Sequence, residues 1–409
     1  MSGNLRLSRL LAVIGVFWAC SAAAQVQMSD EVIKIGVLND RSGLYADLSG
    51  QGSVIAAQMA VEDFGAAAKG MKVEIISADH QNKPDIGSNI ARQWLDVDKV
   101  DVIVDVPNSG VALAVNDIVR EKNKVFLNSG AGTSDLTGKA CSPNTVHWTY
   151  DTWALANGTG KAVVQTGGGT WFFIVADYAF GQALERDTSA VIVANGGKVL
   201  GSVRHPLNTP DFSSYLLQAQ ASGSKIIGLA NAGSDATNAI KQAAEFGIVQ
   251  GGQNLAGLLI FITDVHAIGL QAAQGLIFTE AFYWDMNDGT RAWSKRFAER
   301  NGGKVPSMVQ AGVYSGVLHY LKAVQTVKSD ADGAKVVAEM KTIPTDDPLF
   351  GKGEVRADGR TIHDMYLFEV KKPADSKGPF DYYTLRATIP AAEAFRPLDQ
   401  GNCPLVKKG

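Results

Sequence analysis

A chain of 409 residues, 46% hydrophobic and 19% charged with a formal net charge of -3, holds enough apolar material for more than one core. It carries neither a basic surplus nor a run of five like charges, which argues against nucleic acid and anionic membrane surfaces as partners. After the first residues no apolar stretch is long enough for a membrane span, so a soluble chain is expected.

At the start, Arg6 and Arg9 precede an apolar run from Leu10 to Ala19 that is too short to cross a bilayer and ends in Ser21-Ala22-Ala23-Ala24. This is the pattern of a secretory signal peptide over residues 1–24, with the mature chain beginning at Gln25. Lipidation at Cys20 is the alternative processing route. Loss of Cys20 leaves Cys141 and Cys403, an even number in a compartment that permits disulfides, and the two are expected to pair and staple the tail to the body. Two buried free thiols are the alternative.

From Val32 onward, short β-branched runs alternate with helical periodicity, the signature of parallel βαβ units. Strands are predicted over Ile33 to Leu38, Val73 to Ala78, Val100 to Val106 and Val125 to Asn128. Helices are predicted over Ser53 to Ala68, Asp85 to Val97 and Gly110 to Glu121. In the second of these helices Ile86, Ile90 and Trp94 recur every four residues and read as a core stripe.

After Trp148-Thr149-Tyr150 a second series predicts strands at Trp171 to Ala176, Lys198 to Val203, Ile226 to Leu229, Leu255 to Ile260 and Leu276 to Thr279. The clearest helix between them runs from Gln182 to Ala194 and stops at Gly196-Gly197. Helices at Val309 to Val327 and Gly333 to Lys341 follow, then a strand pair, Gly353 to Arg356 and Met365 to Val370, about the turn Asp358-Gly359. The fold class is therefore α/β, with two doubly wound parallel-sheet lobes. Ligands of such sheets bind at the carboxyl ends of the strands, which here would face each other across a cleft.

Three stretches carry more than pattern: Ile35-Gly36-Val37-Leu38-Asn39-Asp40-Arg41-Ser42-Gly43, Asn128-Ser129-Gly130-Ala131-Gly132-Thr133-Ser134-Asp135-Leu136-Thr137, and Asp177-Tyr178-Ala179-Phe180-Gly181. In order and spacing the chain resembles the leucine/isoleucine/valine-binding proteins. The resemblance implies a type I periplasmic binding protein fold with a three-strand hinge. Its lobes would span residues 25–150 plus 284–345 and 151–283 plus 346–409. It also implies a periplasmic, monomeric protein that hands its ligand to the permease and ATPase of an ABC importer.

By the same resemblance Ser109, Ala131 and Thr133 would hold a ligand carboxylate, and Tyr178 and Phe180 would add aromatic contacts from the second lobe. Strand-to-helix junctions independently suit a carboxylate, through free N–H groups and the helix dipole. Helix capping is the competing reading for Ser109 and the assigned one for Ser134. Arg41 is a candidate for a bidentate carboxylate pair, or for a surface ion pair with Asp40 or Asp47.

The family's amino-acid carriers hold the ligand ammonium with an acid and a tyrosine. Here Phe261 or Ile262 falls at the first position and Asn231 or Ala232 at the second, with Asp264 close by as a rescuing acid. Tyr45, Tyr178, Phe180, Phe261, Phe282, Tyr283 and Trp284 all fall at or just beyond strand ends; about half are expected to be ordinary core and the rest to offer rings to a flat ligand. The first loop, Asp40 to Asp47, is similar to that of relatives that import aromatic acids.

A small carboxylate, aromatic by preference, is thus the expected ligand. A branched-chain amino acid or a sensor role is the alternative. Nucleophile-elbow, dinucleotide and phosphate-loop patterns are absent, and the histidines show no metal-ligand spacing, so no enzyme activity, cofactor or metal is expected. His80, after a strand end, is the histidine placed nearest a cleft, and a solvated loop residue is the reading preferred for it.

Overall fold

The computed structural model describes residues 28–407. The leader and Cys20 therefore lie outside the described residues. Five parallel strands form the first sheet: β1 (Ile33–Asn39), β2 (Val73–Asp79), β3 (Val102–Asp105), β4 (Val125–Asn128) and β5 (Thr145–His147). Their spatial order is β2-β1-β3-β4-β5. Four more, β6 (Thr170–Ala176), β7 (Lys198–His205), β8 (Ile226–Ala230) and β9 (Asn254–Gly257), form a second parallel sheet in the order β7-β6-β8-β9.

Strands buried on both faces read as unbroken apolar runs, and β3, Val-Ile-Val-Asp, is buried at every position. Between strands the helices behave as their ends dictate. Asn108 caps Ser109–Glu121 by accepting the N–H of Gly110 (2.9 Å) and of Val111 (3.1 Å). Trp94, from the predicted stripe, is buried against Gly36 of β1, where a Cβ would overlap its ring, while Ile86 and Ile90 are half-buried.

The last third differs from expectation. β10 (Ile277–Glu280) pairs antiparallel with β14 (Met365–Val370), which pairs with β15 (Tyr383–Ile389). β11 (Thr345–Asp347), β12 (Gly351–Val355) and β13 (Thr361–Ile362) form a separate antiparallel sheet. The expected strand pair about Asp358-Gly359 is thus not a pair: its members join different sheets.

β13 is carried to the first sheet, where His147 bridges Arg360 and donates its N–H to Gly359 O at 2.8 Å. The tail also returns there, since Cys141 and Cys403 are disulfide-bonded with Cα atoms 5.6 Å apart and Arg396 Nη2 donates to Ser134 O at 2.9 Å. Residues 346–409 therefore do not all side with the second lobe.

A buried arginine ties these crossings together. The Arg360 guanidinium, fully buried, donates to Trp148 O (2.7 Å), Tyr150 O (3.0 Å) and Thr361 O (3.0 Å). Burial lowers its pKa to about 10, against the opposing pull of Asp151 and Asp358. The two crossing segments, 148–151 and 360–361, are thereby held side by side.

Candidate functional site

All residues around the cleft cavity follow the carboxyl end of a strand. Tyr45 and Leu48 follow β1, Pro107 follows β3, Gly130 and Gly132 follow β4, and Tyr150 follows β5. From the second sheet come Tyr178 and Phe180 after β6, Ala232 after β8, and Leu259 and Phe261 after β9. The strand order reverses between β1 and β3 and between β6 and β8, so the loops of both sheets part at those points and leave the crevice that a doubly wound fold offers.

On the first-lobe side, buried acids shape the loops. The Asp40 carboxylate accepts the N–H of Ser42 (3.3 Å), Gly43 (2.7 Å) and Tyr45 (2.8 Å) and the amide of Asn82 (2.6 Å), folding the loop so that Tyr45 turns inward. Asp105 and Val106 leave β3 with φ of +80° and +55°, which ends that strand earlier than its apolar run predicts. Asp105 is fully buried and takes donors from Ser49 (2.6 Å), Asn39 (3.1 Å) and Ser129 (3.3 Å). Burial raises its pKa and these donors oppose the rise.

Next to this, Ser109 Oγ accepts the N–H of Thr133 at 3.2 Å, and Asn128 Oδ1 accepts that of Ala131 at 3.1 Å. Ser109, Ala131 and Thr133 thus form one fully buried corner behind Gly130 and Gly132. Asn108, not Ser109, is the cap of the following helix. Likewise Thr133 is the cap expected at Ser134, because Ser134 Oγ instead donates to Asp187 Oδ2 at 2.7 Å.

The second-lobe side is aromatic. Tyr178 OH lies 2.6 Å from Tyr45 OH, joining the lobes, and burial raises the pKa of both phenols, so both are neutral at ordinary pH. Phe261 is the N-cap residue of Ile262–Ile268, and its ring meets that of Tyr150 edge-on at 6.2 Å. Asp264 Oδ2 accepts the Phe261 N–H at 3.0 Å. Burial lifts its pKa to about 7 against that hydrogen bond, with Asp47 adding to the rise.

A Cβ on Gly132 would come within 2.9 Å of the Phe180 ring and 3.1 Å of Tyr150, so the glycine is what lets the walls meet. The cavity left between them is about 10 Å³, room for roughly one water. A larger groove, about 560 Å³, includes Ile226, Asn254 and Ile277 at the amino ends of β8, β9 and β10, the wrong ends for ligand binding in such a sheet.

Of the sequence candidates, Tyr45, Tyr178, Phe180 and Phe261 border the cavity, and Ser109, Ala131 and Thr133 stand one layer behind it. Two do not reach it. Arg41 donates to Ser77 Oγ (3.0 Å) and Gln51 Oε1 (2.7 Å) at the surface, in place of either ion pair weighed for it. Asn231 is turned to His205 (3.1 Å), leaving its neighbour Ala232 on the wall.

His80 is buried with Nδ1 accepting the Asn82 N–H at 3.0 Å, and burial lowers its pKa to about 4; it does not line the cavity. Phe282 and Tyr283 are core, packed on Trp293 and Tyr383. Tyr150 is the residue the sequence reading missed, because β5, the three-residue strand before it, carries too short a signal.

Convergent strand-end loops from two doubly wound lobes, closing on an uncharged pocket, define a two-lobed ligand-binding protein. The family described as periplasmic binding protein matches residues 32–378, and the chain belongs to that family. It is similar to a periplasmic binding protein of Burkholderia mallei of known crystal structure, 53% identical, with a TM-score of 0.90 over 92% of this chain and 100% of that one.

A branched chain amino acid ABC transporter periplasmic ligand-binding protein from Burkholderia xenovorans is 43% identical, with a TM-score of 0.81 over 91% of this chain and 99% of its own. An ABC transporter solute-binding protein from R. palustris in complex with benzoate shares the fold at 21% identity, TM-score 0.79, over 91% and 99%. The kinship read from the three sequence stretches stands, as does the α/β class. The protein is a periplasmic solute-binding protein of the ABC-transporter type.

Proposed function

We propose that this protein is exported by its leader, captures a small carboxylate and presents it to an ABC permease and ATPase, and that an aromatic acid is the favoured ligand. One observation carries the ligand class: the cavity is bordered by the rings of Tyr45, Tyr150, Tyr178, Phe180 and Phe261, and by no charged side chain among the described residues. An amino acid would bring an ammonium, and burying it unpaired costs several kcal/mol. Asp264, the acid that could restore an amine site, is already engaged by the Phe261 N–H and is about half neutral at pH 7.

In this reading the corner of Ser109, Ala131 and Thr133 receives the carboxylate, with the Ser109 hydroxyl and the backbone N–H groups of Ala131 and Thr133, which now donate within the protein. Tyr178, Phe180 and Phe261 cover the ring. Closure is driven by the ligand's greater affinity for the closed form, and no bond is made or broken. The benzoate complex of a protein with the same fold supports the class of ligand.

The relative named for branched-chain amino acids makes those the competing ligands. Thermal unfolding of the mature protein against benzoate and 4-hydroxybenzoate, and separately against leucine, isoleucine and valine, tests the reading by mass action. A rise in melting temperature with the aromatic acids alone is expected. A rise with leucine alone overturns it.

A further inference from the structure

We infer that the carboxylates of Asp30, Asp101 and Asp330 form a site for a hard divalent cation of the calcium class on the first lobe, independent of the cleft. Asp101 immediately precedes β3, so the cluster lies at the amino end of the sheet whose carboxyl end forms the pocket. One oxygen from each of the three carboxylates lies within 4.8 Å of the others. Two oxygens bound to one calcium ion at about 2.3–2.6 Å can stand at most about 5 Å apart, so the spacing suits a single ion.

Hydrogen bonding leaves the site unbalanced. Ser29 N donates to Asp330 Oδ1 (2.7 Å), Lys34 N to Asp101 Oδ2 (2.9 Å) and Ser29 Oγ to Asp101 Oδ1 (3.4 Å). Asp330 is 1% exposed, yet its Oδ2 is buried without a partner among the described residues. The buried hydroxyl of Tyr320 also has no partner among the described residues, and burial first, then the nearby charges of Asp101 and Asp330, raises its pKa.

Among the described residues one ammonium faces the cluster, Lys124 Nζ at 2.6 Å from Asp101 Oδ1, while Lys34 Nζ is spent on Asp98 O. Three carboxylates against one ammonium leave two negative charges, and a buried carboxylate oxygen with no donor is costly. An all-oxygen set with neither sulfur nor imidazole selects a hard ion, and three carboxylates suit calcium better than magnesium, which usually takes only one or two from a protein and keeps its waters.

The ion would fasten the segment at Ser29 and Asp30, just after the predicted leader, to β3 and to the loop between helices Met308–Val327 and Gly333–Met340. Terbium luminescence on the chelator-treated mature protein tests this, because bound terbium takes energy from a nearby ring such as Tyr320. Saturable emission displaced by calcium is expected, together with a calcium-dependent rise in melting temperature. Both should be lost in Asp330→Asn and weakened in Asp30→Asn, an exposed position that leaves the fold intact. Absence of saturable, calcium-displaceable emission from the wild type, or emission unchanged in Asp30→Asn, overturns the site.

Discussion

The first-lobe wall of the cleft combines the rings of Tyr45 and Tyr150 with the bare backbone of Gly130 and Gly132, whereas the second-lobe wall is built of apolar side chains, three of them the rings of Tyr178, Phe180 and Phe261. Behind the first, buried Asp40 and Asp105 gather N–H, amide and hydroxyl donors, so that the turns at Tyr45 and Gly130 are held from within. Behind the second, Asp264 carries the single hydrogen bond to Phe261 N, and burial leaves it poised near neutrality. A rigid polar corner suits the part of the ligand common to a family, its carboxylate. A wall of side chains can change from one carrier to the next without disturbing any backbone.

Breaking the support of the first wall should have the largest effect. The Cys141–Cys403 bond spans 262 residues and holds the tail beside Ser134. Its loss in Cys403→Ser should cost about 5 kcal/mol in the chain-entropy account, seen as a lower denaturation midpoint.

The support of the second wall should show itself through pH. Because the folded-state pKa of Asp264 is raised to about 7 from an ordinary 3.8, the folded protein favours the neutral acid. Its contribution is complete below about pH 4 and lost as pH rises through 7. The loss amounts to about 4 kcal/mol. Asp235, raised to about 6 by burial, adds a slope of the same sign. Asp264→Asn keeps an acceptor for Phe261 N and should flatten the fall in melting temperature between pH 5 and 8; an unchanged slope would assign it to Asp235 and Glu280.

Contact between the walls comes next. Gly132→Ala places a methyl group against Phe180 and Tyr150 and should cost the closed form about 2 kcal/mol, read as a roughly thirtyfold weaker ligand affinity by calorimetry. Tyr178→Phe removes the hydroxyl contact to Tyr45 and should weaken closure by about 1 kcal/mol, with scattering shifted toward the open form. A larger effect from Tyr178→Phe than from Gly132→Ala would reverse the assignment of roles to the two walls.

Much of this was legible in residue order. The alternation of apolar runs with helical stripes was enough for two parallel-sheet lobes, because strands and helices in such a fold are each buried along a face that their own period exposes. Two cysteines sufficed for the disulfide, and a phenylalanine in place of an acid was enough to question an amine site.

Tertiary structure alone decided the rest, since it depends on which distant segments meet. β5 became visible only through its partners β4 and Arg360, and with it Tyr150 entered the cleft. Arg41 and Asn231 found nearer partners in Gln51 and His205, a competition that no local pattern records. The strands of the last third were sorted between the lobes by distant pairings, Ile277 with Glu369 and His147 with Arg360, which leave no periodic trace in the sequence.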